Sequence, residues 1–159
     1  MKVPAGVEDG MRLKLAGEGE AGERGGPRGD LYVRIHIQPH PLFQREGMDL
    51  LCEVPIRMTQ AALGGEVKVP TLSEMISMKV PAGTQPGQIF RLRGKGLPAL
   101  GGSGRGDHLV RVRVEISARL SAAQRKSLED FERLSDKGTF PNVQKFLEQA
   151  RRWLGVKGE

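Results

Sequence analysis

Lys79-Val80-Pro81-Ala82-Gly83 repeats Lys2-Val3-Pro4-Ala5-Gly6 letter for letter, 77 positions later, and the two stretches then stay in step. At the same offset Gly10 falls on Gly87, Leu15 on Leu92, and Gly17 and Gly19 on Gly94 and Gly96. Arg28-Gly29-Asp30 falls on Arg105-Gly106-Asp107, and Val33-Arg34 on Val110-Arg111. Without a gap, 15 of 36 aligned positions are identical, against roughly one in twenty to one in ten for chains that merely share a richness in Gly and Val. Self-similarity at a fixed offset means two copies of one structural unit.

Each copy has the same grammar: an extended entry fixed by Pro, a Gly turn, a short alternating strand, a Gly-rich loop and a longer strand that opens at Gly-Asp. Phe90-Arg91-Leu92-Arg93 and Val110-Arg111-Val112-Arg113-Val114 alternate with period two, putting apolar side chains on one sheet face and arginines on the other. Met11, Leu13, Leu15 and Leu31, Val33, Ile35, Ile37 do the same in the first copy. These patterns predict half-buried antiparallel strands.

Met48 to Met78 precedes the second copy and has no counterpart before the first. Leu50 to Ile56 reads as a strand whose Pro55 pushes its end toward a sheet edge. Thr59 to Leu63 reads as a helical turn, with Thr59 as N-cap and Gly64-Gly65 closing it. Glu66 to Val69 and Ile76 to Val80 resume strand character. The first unit therefore lacks its opening half, and the chain is expected to be a fragment or to have that half-barrel completed from elsewhere.

From residue 118 the pattern turns helical. Ser121 is the expected N-cap of a helix to about Asp136, with Gln124 in the capping-box position and Gly138 beyond its end. After Phe140-Pro141, a second helix puts Val143, Phe146, Leu147, Ala150, Trp153 and Leu154 on one face. Such a stripe must be buried, either against the neighbouring helix and sheet or against a second copy across a twofold axis.

Composition bounds the function. Leu, Ile, Val and Phe total 40 of 159 residues, above the roughly one-fifth level below which chains tend to disorder. No window approaches the roughly 18 uninterrupted apolar residues of a membrane span, and the first residues hold no apolar signal core. The chain reads as soluble and cytoplasmic, without a membrane partner. One Cys, Cys52, and three His, His36, His40 and His108, supply neither an internal disulfide nor a conventional four-ligand zinc site. No nucleophile, base and oxyanion site come together, so an enzyme is not expected. Residues 1–78 hold 9 basic and 11 acidic side chains, residues 79–159 hold 16 and 8, an imbalance that raises nucleic acid as a partner.

Longer strings carry a resemblance. Val3 to Gly10, Leu15 to Gly22 and Gly29 to Val33 resemble the first substrate-binding barrel of the DnaJ co-chaperone family, and His40 to Leu50 resembles its inter-barrel junction. Ala61 to Leu72, Gly83 to Gln88 and Arg91 to Pro98 resemble the second barrel. The resemblance implies a mainly β chain of tandem small β-sandwich or barrel-like units, followed by a helical dimerisation tail. It divides the chain into a truncated first β domain (1–38), a second β domain (39–117) and a helical dimerisation segment (118–159). It further implies unfolded client polypeptides as ligands, homodimers, and partnership with a DnaK-type ATPase chaperone.

Three departures qualify the resemblance. The chain has no His-Pro-Asp motif, its one His-Pro being His40-Pro41-Leu42; lacking the J domain, it is not expected to stimulate the ATPase itself. It has no Cys-x-x-Cys-x-Gly-x-Gly module, so no cofactor is expected and zinc would belong to a zinc finger absent from these residues. Ser73-Glu74-Met75-Ile76 replaces a common Asp-Gly turn, a pattern that also resembles the curved-DNA-binding branch and keeps a DNA-binding architectural protein as the alternative.

By position, the resemblance makes Val3, Leu13, Leu31, Val33 and Ile35 the peptide-binding candidates, through strand pairing and apolar contact; strand alternation alone would make them core. Phe131, Leu134, Val143, Phe146, Leu147, Trp153 and Leu154 are the dimerisation candidates. Arg91, Arg93, Lys95, Arg105, Arg111 and Arg113 form the basic surface, with no aromatic platform interleaved to stack bases.

Overall fold

A computed structural model describes residues 2–155, and the chain divides into two compact units, Met1–Ile116 and Ser117–Glu159. The first unit holds β1 (Arg12–Leu15), β2 (Leu31–Arg34), β3 (Phe43–Glu46), β4 (Asp49–Arg57), α1 (Met58–Leu63), β5 (Gly65–Pro70), β6 (Met75–Val80), β7 (Ile89–Leu92) and β8 (His108–Glu115). The second holds α2 (Ala122–Leu134) and α3 (Pro141–Leu154). The fold is mainly β with a helical C-terminal segment, as the sequence predicts. Among the described residues no helix is long and apolar enough to cross a membrane.

The repeat is reproduced in the hydrogen bonds. β1 pairs antiparallel with β2, Leu13 opposite Val33 and Leu15 opposite Leu31; β7 pairs with β8 in the same register, Phe90 opposite Val110 and Leu92 opposite His108. Asp30 Oδ1 accepts from the Gly17 N–H at 3.2 Å, as Asp107 Oδ1 does from Gly94 at 2.9 Å. The second carboxylate oxygen holds Lys14 at 2.6 Å in one copy and Arg91 at 2.8 Å in the other. Asp therefore follows Gly in both loops because its carboxylate closes the turn and ties down a strand cation.

What differs is the covering. The second copy lies in a four-stranded sheet of order β3-β4-β8-β7, where β4 runs parallel to β8 from Leu50 opposite His108 to Arg57 opposite Glu115. The hairpin β5-β6 forms a separate two-stranded sheet. Cys52, Val54, Ile56, Val110 and Val112 share one core with Val67, Val69, Met78, Val80 and Ala61 of α1. β1 and β2 form a two-stranded sheet of their own, and none of the described residues 2–49 is buried.

The α1 N-cap expectation needs correction, while the Pro55 expectation holds for the end of its strand. Pro55 marks where β4 loses one neighbour: the strand is interior between β3 and β8 over Asp49–Cys52 but pairs with β8 alone from Glu53 on. Pairing with β3 stops at Cys52, so Pro55 sits where that flank is already unpaired and its missing N–H breaks no ladder on that side. Thr59 is not the helix N-cap. β4 stays extended through Arg57, so α1 starts at Met58 and Gln60 Oε1 accepts from the Arg57 backbone N–H at 3.2 Å. Gly64 ends the helix at φ 77°, where a Cβ would lie 2.8 Å from the Ala82 nitrogen.

In the second unit α2 starts as the capping box predicts: Ser121 Oγ accepts from the Gln124 N–H at 3.2 Å and Gln124 Oε1 from the Ser121 N–H at 2.9 Å. It ends at Leu134, short of the expected Asp136. The Asp136 carboxylate accepts from the Gly138 and Thr139 N–H groups, each at 2.9 Å, in a turn that replaces the last helical residues. These contacts, with the Thr139 hydroxyl foremost, hold the Asp136 carboxyl below its usual range. α3 opens on Pro141, whose fixed φ suits a first helical position. No residue of either helix is buried.

Candidate functional site

The β1-β2 hairpin leaves an apolar face uncovered. Register puts Leu13, Leu15, Leu31 and Val33 on one side, and the Ile35 N–H, donating to the Met11 carbonyl at 2.8 Å, extends that face by one pair. Arg12, Lys14, Tyr32 and Arg34 occupy the other side. Leu13, Val33 and Ile35 are half-buried, while Leu31 is 43% exposed. In the second copy the equivalents His108, Val110 and Val112 are buried. In this chain none of the five candidates is buried, and the segment that covers the equivalent face of the second copy has no counterpart here. It brings Leu13, Leu31, Val33 and Ile35 together, whereas Val3 lies on the entry segment outside both strands and is 49% exposed.

β2 also has one unpaired edge. β8 is paired on both flanks, to β7 and β4, whereas β2 has only β1. Extended backbone groups beside half-exposed aliphatic side chains are what a strand-adding ligand requires.

A groove of about 1040 Å³ adjoins this hairpin, walled by Val7, Ile37, Phe43, Leu50, Leu72 and Leu97 among others. Arg45 anchors it: its Nη1 donates to the Val7 carbonyl at 2.6 Å and its Nε to the Gly47 carbonyl at 2.8 Å. The charge is spent on holding the first copy's entry loop to β3.

The basic surface is largely consumed within the protein. Arg91 is paired with Asp107 at 2.8 Å, Lys95 with Glu74 at 3.1 Å and Arg113 with Glu53 at 3.4 Å. Arg105 donates to the Gly96 carbonyl at 3.2 Å. These carboxylates dilute the positive potential that a phosphate-tracking stripe would need. Arg91 is raised above its ordinary value by the hydrogen bond and charge of Asp107. Asp107 is held below its own value, first by the Gly94 N–H and then by Arg91.

Cys52 is buried in the core, and its thiol is pushed up by burial and by Glu53, so it is an inert packing residue. Among the described residues no cluster of His, Cys, Asp and Glu is placed to hold a metal ion. His108, not singled out by sequence, is wholly buried. The available signal was parity: it stands two residues before Val110 on the core face of its strand, in register with Leu31 of the first copy.

The dimerisation candidates form exposed stripes on α2 and α3. Phe131 is 51% exposed, Phe146 67% and Trp153 89%, and Leu134, Val143, Leu147 and Leu154 are exposed with them. Phe131 meets Phe140 edge to face, ring centroids 6.1 Å apart, across the interhelical turn.

A family model described as the DnaJ C terminal domain matches residues 1–117. The chain is similar to the chaperone protein DnaJ of Opitutus terrae, 50% identical over 154 residues, 97% of this chain and 40% of the relative. Against the chaperone protein DnaJ of Cereibacter sphaeroides (strain ATCC 17029) the identity is 51% over 160 residues, 99% of this chain and 42% of the relative. Against that of Syntrophotalea carbinolica it is 48% over 155 residues, 98% and 42%. The chain thus spans about two fifths of the length of these curated relatives.

Proposed function

From the premise that the chain belongs to the DnaJ C-terminal domain family, we propose that it is the client-holding part of a co-chaperone. It binds extended, non-native polypeptide on the first repeat and presents it, as a homodimer, to a DnaK-type ATPase chaperone. The observation that carries the reading is the uncovered hairpin: Leu13, Leu31, Val33 and Ile35 on one face, beside an unpaired β2 edge. A client strand gains main-chain hydrogen bonds from the edge and apolar contact from the face, which selects for hydrophobic extended segments rather than for one sequence. With residues 1–38 as a first β domain, 39–117 as the second and 118–159 as the dimerisation segment, each chain offers one such site. Residues 1 and 156–159 of these spans lie outside the described residues. Stimulation of the ATPase is assigned to a J domain, whose His-Pro-Asp motif these residues lack.

The test is fluorescence anisotropy of an extended apolar peptide and of a DNA duplex, each titrated with the chain at about 150 mM salt, where charge is screened beyond roughly 8 Å. The expected result is saturable peptide binding, weakened at least tenfold by Val33→Asp, without comparable duplex binding. Salt-sensitive duplex binding with no peptide binding would instead favour the architectural DNA-binding alternative.

A further inference from the structure

His108 is the one buried ionisable ring of the first unit that the client-holding reading leaves unused. It opens β8 between Leu50 of β4 and Leu92 of β7, its exposure is 0%, and neither ring nitrogen has a hydrogen-bond partner in the protein. Its one described aromatic neighbour among these elements is Phe43 of β3, edge to face with ring centroids 5.5 Å apart. Phe43 is also a wall of the groove beside the hairpin, as is Leu50. The ring thus lies behind the groove, and a neutral imidazole packs there as an apolar plate.

The charged groups of the surrounding elements are either bound elsewhere or exposed to solvent. On β3, Arg45 is bound to the Val7 and Gly47 carbonyls, and Glu46 is exposed. On β4, Asp49 Oδ1 accepts from the Asp107 N–H at 2.6 Å and Glu53 reaches Arg113; Arg57 engages Gln60. On β7, Arg91 is bound to the Asp107 carboxylate. Arg111, Arg113 and Glu115 of β8 have exposed side chains, as do Glu66, Lys68 and Lys79 of the β5-β6 hairpin. α1 carries no titratable side chain. His40 lies beyond Phe43 at 5.0 Å between ring centroids and is exposed. None of these groups pairs with the His108 ring, whose nitrogens have no partner and whose charged form is opposed by burial alone.

We infer that His108 is a proton-triggered release for β3: neutral, it seats Phe43 against β4 and β8, and protonated it unseats that strand and loosens the groove wall. A buried cation with no partner is costly enough that opening the site is the easier outcome. Burial alone pushes the imidazole below its ordinary value of 6.5, which fixes the sign. As pH falls through about 6.5, the unfolded or opened chain takes up a proton that the closed form refuses, so closure weakens by up to about tenfold per pH unit until the closed form also protonates. The first copy supplies the control substitution, since Leu31 occupies the equivalent place in its hairpin.

The experiment compares the full chain with its His108→Leu variant by urea unfolding at pH 7.5, 6.5 and 5.5, with hydrogen-exchange protection factors for Phe43–Glu46. The expected result is a folding constant that drops severalfold, up to tenfold, more for the native chain than for the variant between pH 6.5 and 5.5. Protection of Phe43–Glu46 should fall in the native chain alone. Parallel pH profiles for the two proteins overturn the inference. Should the variant not fold, the His108 imidazole of the native chain is followed by NMR from pH 7.5 to 5.5 alongside the β3 amides. A His108 that protonates only as the β3 amides lose protection supports the release. One that protonates while β3 stays protected overturns it.

Discussion

Gly29 and Gly106 hold the same place in the two Gly-Asp loops, yet their surroundings differ. A Cβ on Gly106 would run into the Met48 carbonyl and lie 2.8 Å from Asp49 Oδ1, whereas on Gly29 its nearest neighbour is the Glu20 carbonyl at 3.9 Å. The difference is β4 and the turn leading into it, which cover only the second copy. Gly106→Ala is therefore expected to destabilise the β unit by about 2–4 kcal/mol, and Gly29→Ala by less than about 1 kcal/mol; urea unfolding of the two variants measures both. Asp107 extends the argument to acid. Its carboxyl is held below the ordinary value of 3.8 by the Gly94 N–H and Arg91, so as pH falls the unfolded chain protonates this group first and the stability it contributes above that value is lost. Asp107→Asn is expected to be less stable at pH 7 and to lose less on going from about pH 4 to pH 2, as an acid titration followed by circular dichroism would show.

At the scale of the element, the two hairpins share a register but not a stability. β8 lies between two strands and over a core, while β1-β2 has one ladder and no buried residue. Local opening free energy follows burial and pairing, so the β2 amides are expected to exchange at least about a hundredfold faster than those of Val110 and Val112. Equal protection would mean that the uncovered hairpin is covered in solution. The hairpins themselves were legible in the sequence, because the offset of 77 aligns Gly10, Gly17, Gly19 and Gly29 with Gly87, Gly94, Gly96 and Gly106 and Asp30 with Asp107, and alternation assigns the faces. The Ser121 capping box was legible too, because its signal lies within four residues. The parallel pairing of β4 with β8 was not: it joins residues 58 positions apart, Leu50 with His108, and no turn chemistry announces such a crossover. The site was legible only in part. Period two shows which side chains share a face, but whether that face is core or surface depends on the element laid over it, and in the first copy nothing among residues 2–49 is buried. His108 was missed for the converse reason: a polar residue at a core parity position looks like a surface residue until its strand is sandwiched.

For the molecule as a whole, the helical unit bears on the proposed function through valency. α2 and α3 expose large apolar side chains on amphipathic faces, Phe146 and Trp153 foremost. In the proposed homodimer, a second copy of the same segment covers such faces symmetrically, using aromatic anchors of the kind that dominate association energies. One shallow hairpin holds a client segment weakly; two on one dimer convert the second binding event into an intramolecular one and raise retention of a long chain by about 10²–10⁴-fold without any new contact. The two effects separate cleanly, because the β unit and the helical unit are distinct compact bodies. Phe146→Asp combined with Trp153→Asp is expected to give a monomer by light scattering, with the unfolding midpoint of the β unit unchanged. Affinity for a short single-site peptide should stay within about twofold of the native value, since the hairpin is untouched, while retention of a long unfolded chain falls by about a hundredfold. An unchanged dimer mass would remove α3 from the interface. Monomers that still retain the long chain would mean that a single copy grips more than one segment, and the groove beside β3, rather than the dimer, would then have to supply the second grip.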